Sequence, residues 1–205
     1  AAPASARIPL AGLKLLMPIA RPGKLVCIGL NYALHAKEGG NPIPDYPAVF
    51  LRVQSSLVGP DAPMLRPAGA STKLDYEAEL AVVIGSTARW VRDYQRKSTQ
   101  WTMGKNFDAT GAFGPELVTP DELPPGAAPL RITTRVDGQT VQDSTTGDMI
   151  FPVARCISIL SEVMTLEPGD VIATGTPSGV GYARKPPLFL APGMVVEIEV
   201  EGVGV

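Results

Sequence analysis

The 205-residue chain predicts an α+β fold that is rich in strands and carries only a few short helices. Three observations predict it. Gly and Pro number 21 each, which demands many turns and disfavours a helical bundle. Short apolar runs bounded by Gly, Pro, Asn or Asp recur along the chain, as strands do. Against these runs stands a single convincing amphipathic helix, over residues 152–164, where Val153, Ile157, Leu160 and Met164 fall on one stripe and Pro152 suits a first helical position.

The elements follow in order. Residues 8–22 suggest little beyond a strand or connecting arm over 13–19, and the one candidate domain boundary falls before residue 23. Residues 1–22 therefore read as an N-terminal arm or the remnant of a small N-terminal region, and 23–205 as the main domain. Residues 1–7 lack the charged start and apolar core of a signal peptide and read as a frayed lead-in. Residues 24–30 form a short buried strand ending at Gly29, and 32–38 a brief helix stopped by Gly39-Gly40. Three prolines make 41–47 a loop. Strands follow over 48–52 and 74–84, and a proline-rich connection spans 120–129. Residues 130–142 alternate as a hairpin, with Asp137-Gly138 as its turn. After the helix, 171–174 is a strand opening into the glycine-rich loop 175–181, and 194–202 closes the set.

Charges nearly balance, 18 basic against 20 acidic with no Lys/Arg cluster, so nucleic-acid binding has no electrostatic footprint. No apolar run approaches the ~20 residues of a membrane span. Cys27 and Cys156 sit among apolar residues at no metal or redox spacing, which suits reduced core cysteines of a cytoplasmic protein.

The most informative feature is Glu77-Ala78-Glu79. Side chains alternate along a strand, so both carboxylates point the same way, roughly 7 Å apart. The segment then turns apolar on both faces, with Ala81 and Val83 on the glutamate side and Leu80, Val82 and Ile84 opposite. Two like charges entering a dry region need neutralising, and a divalent cation does so, although a solvated strand start or surface ion pairs would also explain them. A second Glu-x-Glu, in Glu197-Ile198-Glu199-Val200-Glu201, has its glutamates on one face and Val196, Ile198 and Val200 on the other. That is plain polar-out, apolar-in alternation.

Other residues could carry chemistry. The single histidine, His35, precedes Glu38 by three positions on the short helix, so the carboxylate can fix one tautomer and stabilise the charged ring, as in a base that activates water. Gly39-Gly40 and the proline-rich loop would let this helix act as a lid. Lys105, between a glycine and an aromatic ring in Gly104-Lys105-Asn106-Phe107-Asp108, could receive a substrate carboxylate or enolate oxygen, or simply be a surface lysine. The 175–181 loop lacks the P-loop and dinucleotide patterns, and its backbone N–H groups with the Thr176 hydroxyl suit a carboxylate. No nucleophilic triad or Gly-x-Ser-x-Gly elbow is present.

Taken together and in register, several stretches resemble the fumarylacetoacetate hydrolase superfamily, in particular its bacterial acylpyruvate hydrolase and 2-hydroxyhepta-2,4-diene-1,7-dioate isomerase-like members. They are Gly29-Leu30-Asn31-Tyr32 with His35 and Glu38; Asp75-Tyr76-Glu77-Ala78-Glu79-Leu80; Arg92-Asp93-Tyr94-Gln95; Gly104-Lys105-Asn106-Phe107-Asp108 running to Gly114-Pro115; Met149-Ile150-Phe151; and Glu167-Pro168-Gly169-Asp170 through the 175–181 loop. The resemblance implies a mixed-sheet β-roll as the catalytic domain over 23–205. It implies an enzyme dependent on Mg²⁺ or Mn²⁺, acting on small 2-oxo or 2,4-dioxo acids of aromatic catabolism, as a homodimer. It makes Glu77 and Glu79 metal ligands and His35 and Glu38 the water-activating pair. Lys105 joins them as a catalytic residue, with Gln95, Arg92 and Thr176 binding substrate.

One departure stands out. The family pattern brings a third ligand, an aspartate, some way beyond the Glu-x-Glu strand. Here Gly85-Ser86-Thr87-Ala88-Arg89-Trp90-Val91 runs straight into Arg92-Asp93-Tyr94-Gln95, so a segment is expected to be missing near 91–92. Three functions follow as expectations: a hydrolase cleaving a C–C bond in acylpyruvates, an isomerase or decarboxylase of unsaturated 2-oxo dioates, or a non-catalytic binding protein with an incomplete site.

Overall fold

The computed structural model describes residues 11–66, 71–85 and 102–205. Its centre is strand β1 (Leu25–Gly29), buried at all five positions because it carries neighbours on both edges and both faces. Strand β2 (Ala48–Arg52) pairs with it antiparallel, and β8 (Val171–Ala173) pairs with it in parallel on the other side. Strand β4 (Ala81–Val83) runs antiparallel to β8, giving a mixed sheet ordered β2-β1-β8-β4. The α+β, β-rich class expected from the sequence is the class observed.

Helix α3 (Val153–Val163) covers one face of this sheet. Val26, Ile28, Ile84 and Ile172 of the sheet side pack with its Cys156, Ile159 and Leu160. The opposite face packs Leu25, Cys27, Phe50 and Val171 with Ala81 and Val83. Both cysteines are free and buried. The predicted stripe on α3 is rotated: Cys156 and Ile159 carry the burial with Leu160, Ile157 and Met164 lie at its margin, and Val153 packs against the neighbouring cluster. Pro152 sits one position earlier than expected, as the N-cap.

A second, antiparallel sheet is ordered β7-β6-β9, from β6 (Arg131–Val136), β7 (Gln139–Thr145) and β9 (Val196–Val200). Asp137 (φ 48°) and Gly138 (φ 76°) both take the left-handed conformation of a two-residue hairpin turn, as Asp-Gly predicts. The two sheets meet where Tyr32, Ala78 and Leu80 pack against Leu130, Ile132, Met149 and Val200. A short parallel ribbon of β3 (Leu57–Val58) and β5 (Gly111–Ala112) completes the strands, with helices α1 (Ala33–Glu38) and α2 (Thr102–Lys105).

Two expectations need correction. Residues 13–19 form no strand. The strand expected over 74–84 narrows to β4 alone, with Leu74 bridging Leu190 in isolation. The cause is visible in the backbone partners of 75–80, which come largely from side chains; the Thr174 backbone N–H reaches only Leu80 O, at 3.1 Å. Ala78 N–H donates to Gln142 Oε1 at 3.0 Å, Tyr76 N–H to Asp75 Oδ1 at 2.8 Å, and Leu80 C=O accepts the Thr174 hydroxyl at 2.8 Å.

Candidate active site

Glu77 and Glu79 sit on this non-ladder stretch and still share one side. With His35, Lys105 and Thr176 they line a single cleft, walled by Phe50 and by the end of β1, with about 250 Å³ of space open to solvent.

Each wall is placed by identifiable contacts. At the end of β1, Leu30 adopts φ 53° and Asn31 is wholly buried. The Asn31 amide donates to Phe151 O at 2.9 Å and Thr174 O at 2.8 Å, and its oxygen accepts the Phe151 N–H at 2.6 Å. That clasp fixes where α1 starts. On α1, His35 is 7% exposed and its Nδ1 lies 2.8 Å from Glu38 Oε1, the i,i+3 contact expected from the sequence. Lys105 ends α2, and the next residue, Asn106, ties it to β2 by donating to Leu51 O at 2.9 Å and accepting the Val53 N–H. The Lys105 ammonium lies 5.9 Å from the Phe50 ring centre and bonds to Glu77 Oε2.

The glycine-rich loop behaves differently from the expectation. Its N–H groups were expected to receive a ligand carboxylate; three of them bind the protein's own. Gly175 N–H donates to Glu79 Oε2 at 2.7 Å, Gly179 N–H to Glu38 Oε2 at 2.8 Å, and Gly181 N–H to Asp75 Oδ1 at 2.7 Å. Glycine is required at all three points, and at Gly181 a Cβ would stand 1.8 Å from Leu188 O. Gly175 has φ +97° and a Cβ there would stand 2.8 Å from Ile28 O; Gly179 has φ +104° and a Cβ would stand 2.3 Å from Val141 O. One loop thus pins the carboxylate that partners His35 and one of the two paired glutamates, and Thr176, between Gly175 and Gly179, lines the cleft.

The two carboxyls are held differently. Burial opposes the charge of Glu77, but the adjacent Lys105 outweighs it and holds this carboxyl below its usual range. Lys105 is likewise pushed up, because Glu77 overcomes the effect of burial. Glu79 is raised to about 7 by burial and by the charge of Glu77, against the opposing Gly175 N–H. Lys105 bonds to Glu77, and Arg52 acts on both carboxylates from farther off, while the hydrogen bond shown for Glu79 is the Gly175 N–H. The carboxylate oxygens suit a hard cation such as Mg²⁺, which commonly takes one or two carboxylates and fills its shell with water and substrate. Among the described residues, no group of three His, Cys, Asp or Glu side chains is placed to hold a metal.

Of the sequence-predicted site residues, His35, Glu38, Glu77, Glu79, Lys105 and Thr176 come together here. Gln95 and Arg92, the junction at 91–92 and residues 1–10 of the arm lie outside the described residues. Sequence reasoning missed Gln142 and Asp75, and it assigned the Gly175 and Gly179 N–H groups to a ligand where they bind Glu79 and Glu38. One signal was available: Thr134 is a polar residue in the inward row Leu130, Ile132, Thr134, Val136, which implies a buried polar partner. No helix among the described residues is long and apolar enough to cross a membrane.

Comparison with known proteins gives consistent relatives. The family described as "Fumarylacetoacetate (FAA) hydrolase C-terminal" matches residues 24–92 and 86–205. An oxaloacetate tautomerase FAHD2A, mitochondrial, of Bos taurus is 40% identical over 222 residues, covering 97% of this chain and 69% of that protein. A solved 2-hydroxyhepta-2,4-diene-1,7-dioate isomerase from Mycobacterium marinum superposes with a TM-score of 0.78 at 36% identity, over 98% of this chain and 79% of that one. The maleylpyruvate hydrolase of Sphingobium sp. SYK-6 gives a TM-score of 0.78 at 31% identity, over 97% and 74%.

Proposed function

Since this chain belongs to the fumarylacetoacetate hydrolase family, whose members here carry hydrolase, isomerase and tautomerase names, we propose that it hydrolyses a C–C bond in small 2,4-dioxo acids of the acylpyruvate type. The observation that carries this reading is the His35–Glu38 pair, held at 2.8 Å in the same cleft as Glu77 and Glu79. Enolising a 2-oxo acid needs positive charge near its oxygens; adding water to a distant carbonyl also needs a base.

His35 takes a proton from water at its Nε2, while Glu38 holds the Nδ1 proton and stabilises the imidazolium. The resulting hydroxide adds to the 4-carbonyl. The C3–C4 bond then breaks, its electron pair passes into the enolate of the departing 2-oxo acid, and the imidazolium proton quenches that enolate at C3. Lys105 places its ammonium where negative charge develops, and the Thr176 hydroxyl receives the carboxylate. Glu77 and Glu79 would hold Mg²⁺ or Mn²⁺, which supplies Lewis-acid charge to the 2-oxo acid when bound. The chain's two thiols suit a reducing compartment such as the cytoplasm, and a homodimer is part of the same reading.

The test is turnover of an acylpyruvate panel with Mg²⁺. EDTA should abolish activity and Mg²⁺ restore it; metal-independent turnover, or none across the panel, rejects the reading. His35→Asn should lower hydrolysis by about 10²–10⁴-fold. The 40% identity to a protein named as an oxaloacetate tautomerase favours one second reading, in which the cleft only shifts protons on a 2-oxo acid or isomerises or decarboxylates an unsaturated dioate. Product analysis separates the two: a tautomerase yields no cleavage products from any dioxo acid. A peptide map of the protein across residues 85–102 addresses the segment at 91–92. Residues found between Val91 and Arg92 remove the motive for a non-catalytic binding protein.

A further inference from the structure

Gln142 lies on β7, is 1% exposed, and touches the cleft only through Thr176. Its amide makes four hydrogen bonds, and two of them fix its orientation without ambiguity. Oε1 receives the Ala78 backbone N–H at 3.0 Å, and that group can only donate. Nε2 lies 2.9 Å from Pro177 O, and that group can only accept. The remaining two contacts then have no choice of polarity. Thr134 must donate its hydroxyl to Oε1, at 2.7 Å, and Thr176 Oγ1 must accept from Nε2, at 2.9 Å.

A hydroxyl that accepts on one side must send its own proton elsewhere. No described residue accepts the Thr176 proton, and Thr176 lines the cleft beside Glu77, Glu79 and Lys105. We infer that Gln142 is a positioning residue that turns the Thr176 hydroxyl into an obligatory donor facing the cleft, so that the site takes an acceptor group, the carboxylate of a 2-oxo acid, at this point. The same amide carries Ala78, between the two glutamates, so the donor is set in fixed register with them. This inference rests on the functional reading above, because the group received is the substrate's carboxylate.

The experiment uses 2-oxobutanoate, a 2-oxo acid with no 4-carbonyl to attack, titrated calorimetrically into the protein with Mg²⁺. Thr176→Val and Gln142→Met should each weaken binding by about 10–100-fold, the range of a hydrogen bond to a charged group. The double variant should lose no more than either single one, and Thr176→Ser should bind close to wild type. In turnover, the loss should appear in KM, with kcat held within about threefold. Wild-type binding by Gln142→Met or by Thr176→Val overturns the inference, as do additive losses. A spectroscopic arm needs no Gln142 variant: one Gln142 side-chain amide proton should move downfield when 2-oxobutanoate binds the wild type, and not in Thr176→Val. An unmoved resonance also overturns it. Wild-type protein that binds no 2-oxo acid fails the functional reading and this inference together, whereas wild type that binds equally with Gln142→Met fails this inference alone.

Discussion

Glu77-Ala78-Glu79 and Glu197-Ile198-Glu199 share a spacing and meet opposite surroundings. On β9, Glu197 and Glu199 are 43% and 46% exposed, and one cross-strand arginine serves both: Arg135 Nε lies 3.5 Å from Glu197 and its Nη1 2.8 Å from Glu199. Water completes their solvation, so nothing further is needed. Glu77 is 29% exposed, against a cleft wall, and is paired with one lysine, while Glu79 beside it is held by a backbone N–H. The spacing says only that two charges share a side. What they do follows from how much water and counter-charge the rest of the fold supplies.

Exchanging charge for amide at each pair gives the largest effect. Glu77→Gln or Glu79→Gln should lower kcat/KM on an acylpyruvate with Mg²⁺ by about 10³-fold or more, and Glu197→Gln or Glu199→Gln by no more than about twofold. Equal losses at both pairs would erase the distinction.

A smaller effect concerns stability and pH. Glu79 has its carboxyl raised from 4.5 to about 7, so the folded state holds that proton more tightly than the unfolded one. Its contribution is complete below about pH 4.5 and is lost as pH rises through about 7. Melting with chelator present should therefore show Glu79→Gln gaining on wild type by a few degrees across that window, and Mg²⁺ should shrink the difference. A gain that grows toward acid would contradict the assignment. The smallest effect is expected at the exposed pair, where Arg135→Gln should move Tm by about 1–2 °C at most and leave turnover unchanged.

Much of this fold is legible in the chain because its signals are local. β1 is marked by a continuous apolar run, β9 by alternating glutamates and apolar residues, the hairpin by its Asp137-Gly138 turn, and α1 by the glycines that stop it. The strand over 74–84 misled because 75–80 is extended and alternates like a strand, yet its hydrogen bonds go to Gln142, Asp75 and Thr174. Alternation records which side a residue faces and carries no record of its partner. The site divides the same way. His35 and Glu38, three apart on one helix, announce each other. Gly175 against Glu79, Gly179 against Glu38 and Gln142 against Thr176 join residues distant in sequence, and no local period encodes them.

The parallel pairing of β1 with β8 has a consequence for how the protein is made. Val26 and Ile172 are neighbours in the sheet although nearly the whole domain separates them along the chain. Such contacts close long loops before they reward the closure, which slows folding. A chain emerging from its N-terminus can assemble the β1–β2 pair early, but not the cleft. Until β8 and its trailing loop arrive, Glu79 lacks the Gly175 N–H and Glu38 lacks the Gly179 N–H. Completion of the cleft therefore waits on β8 and the loop that follows it.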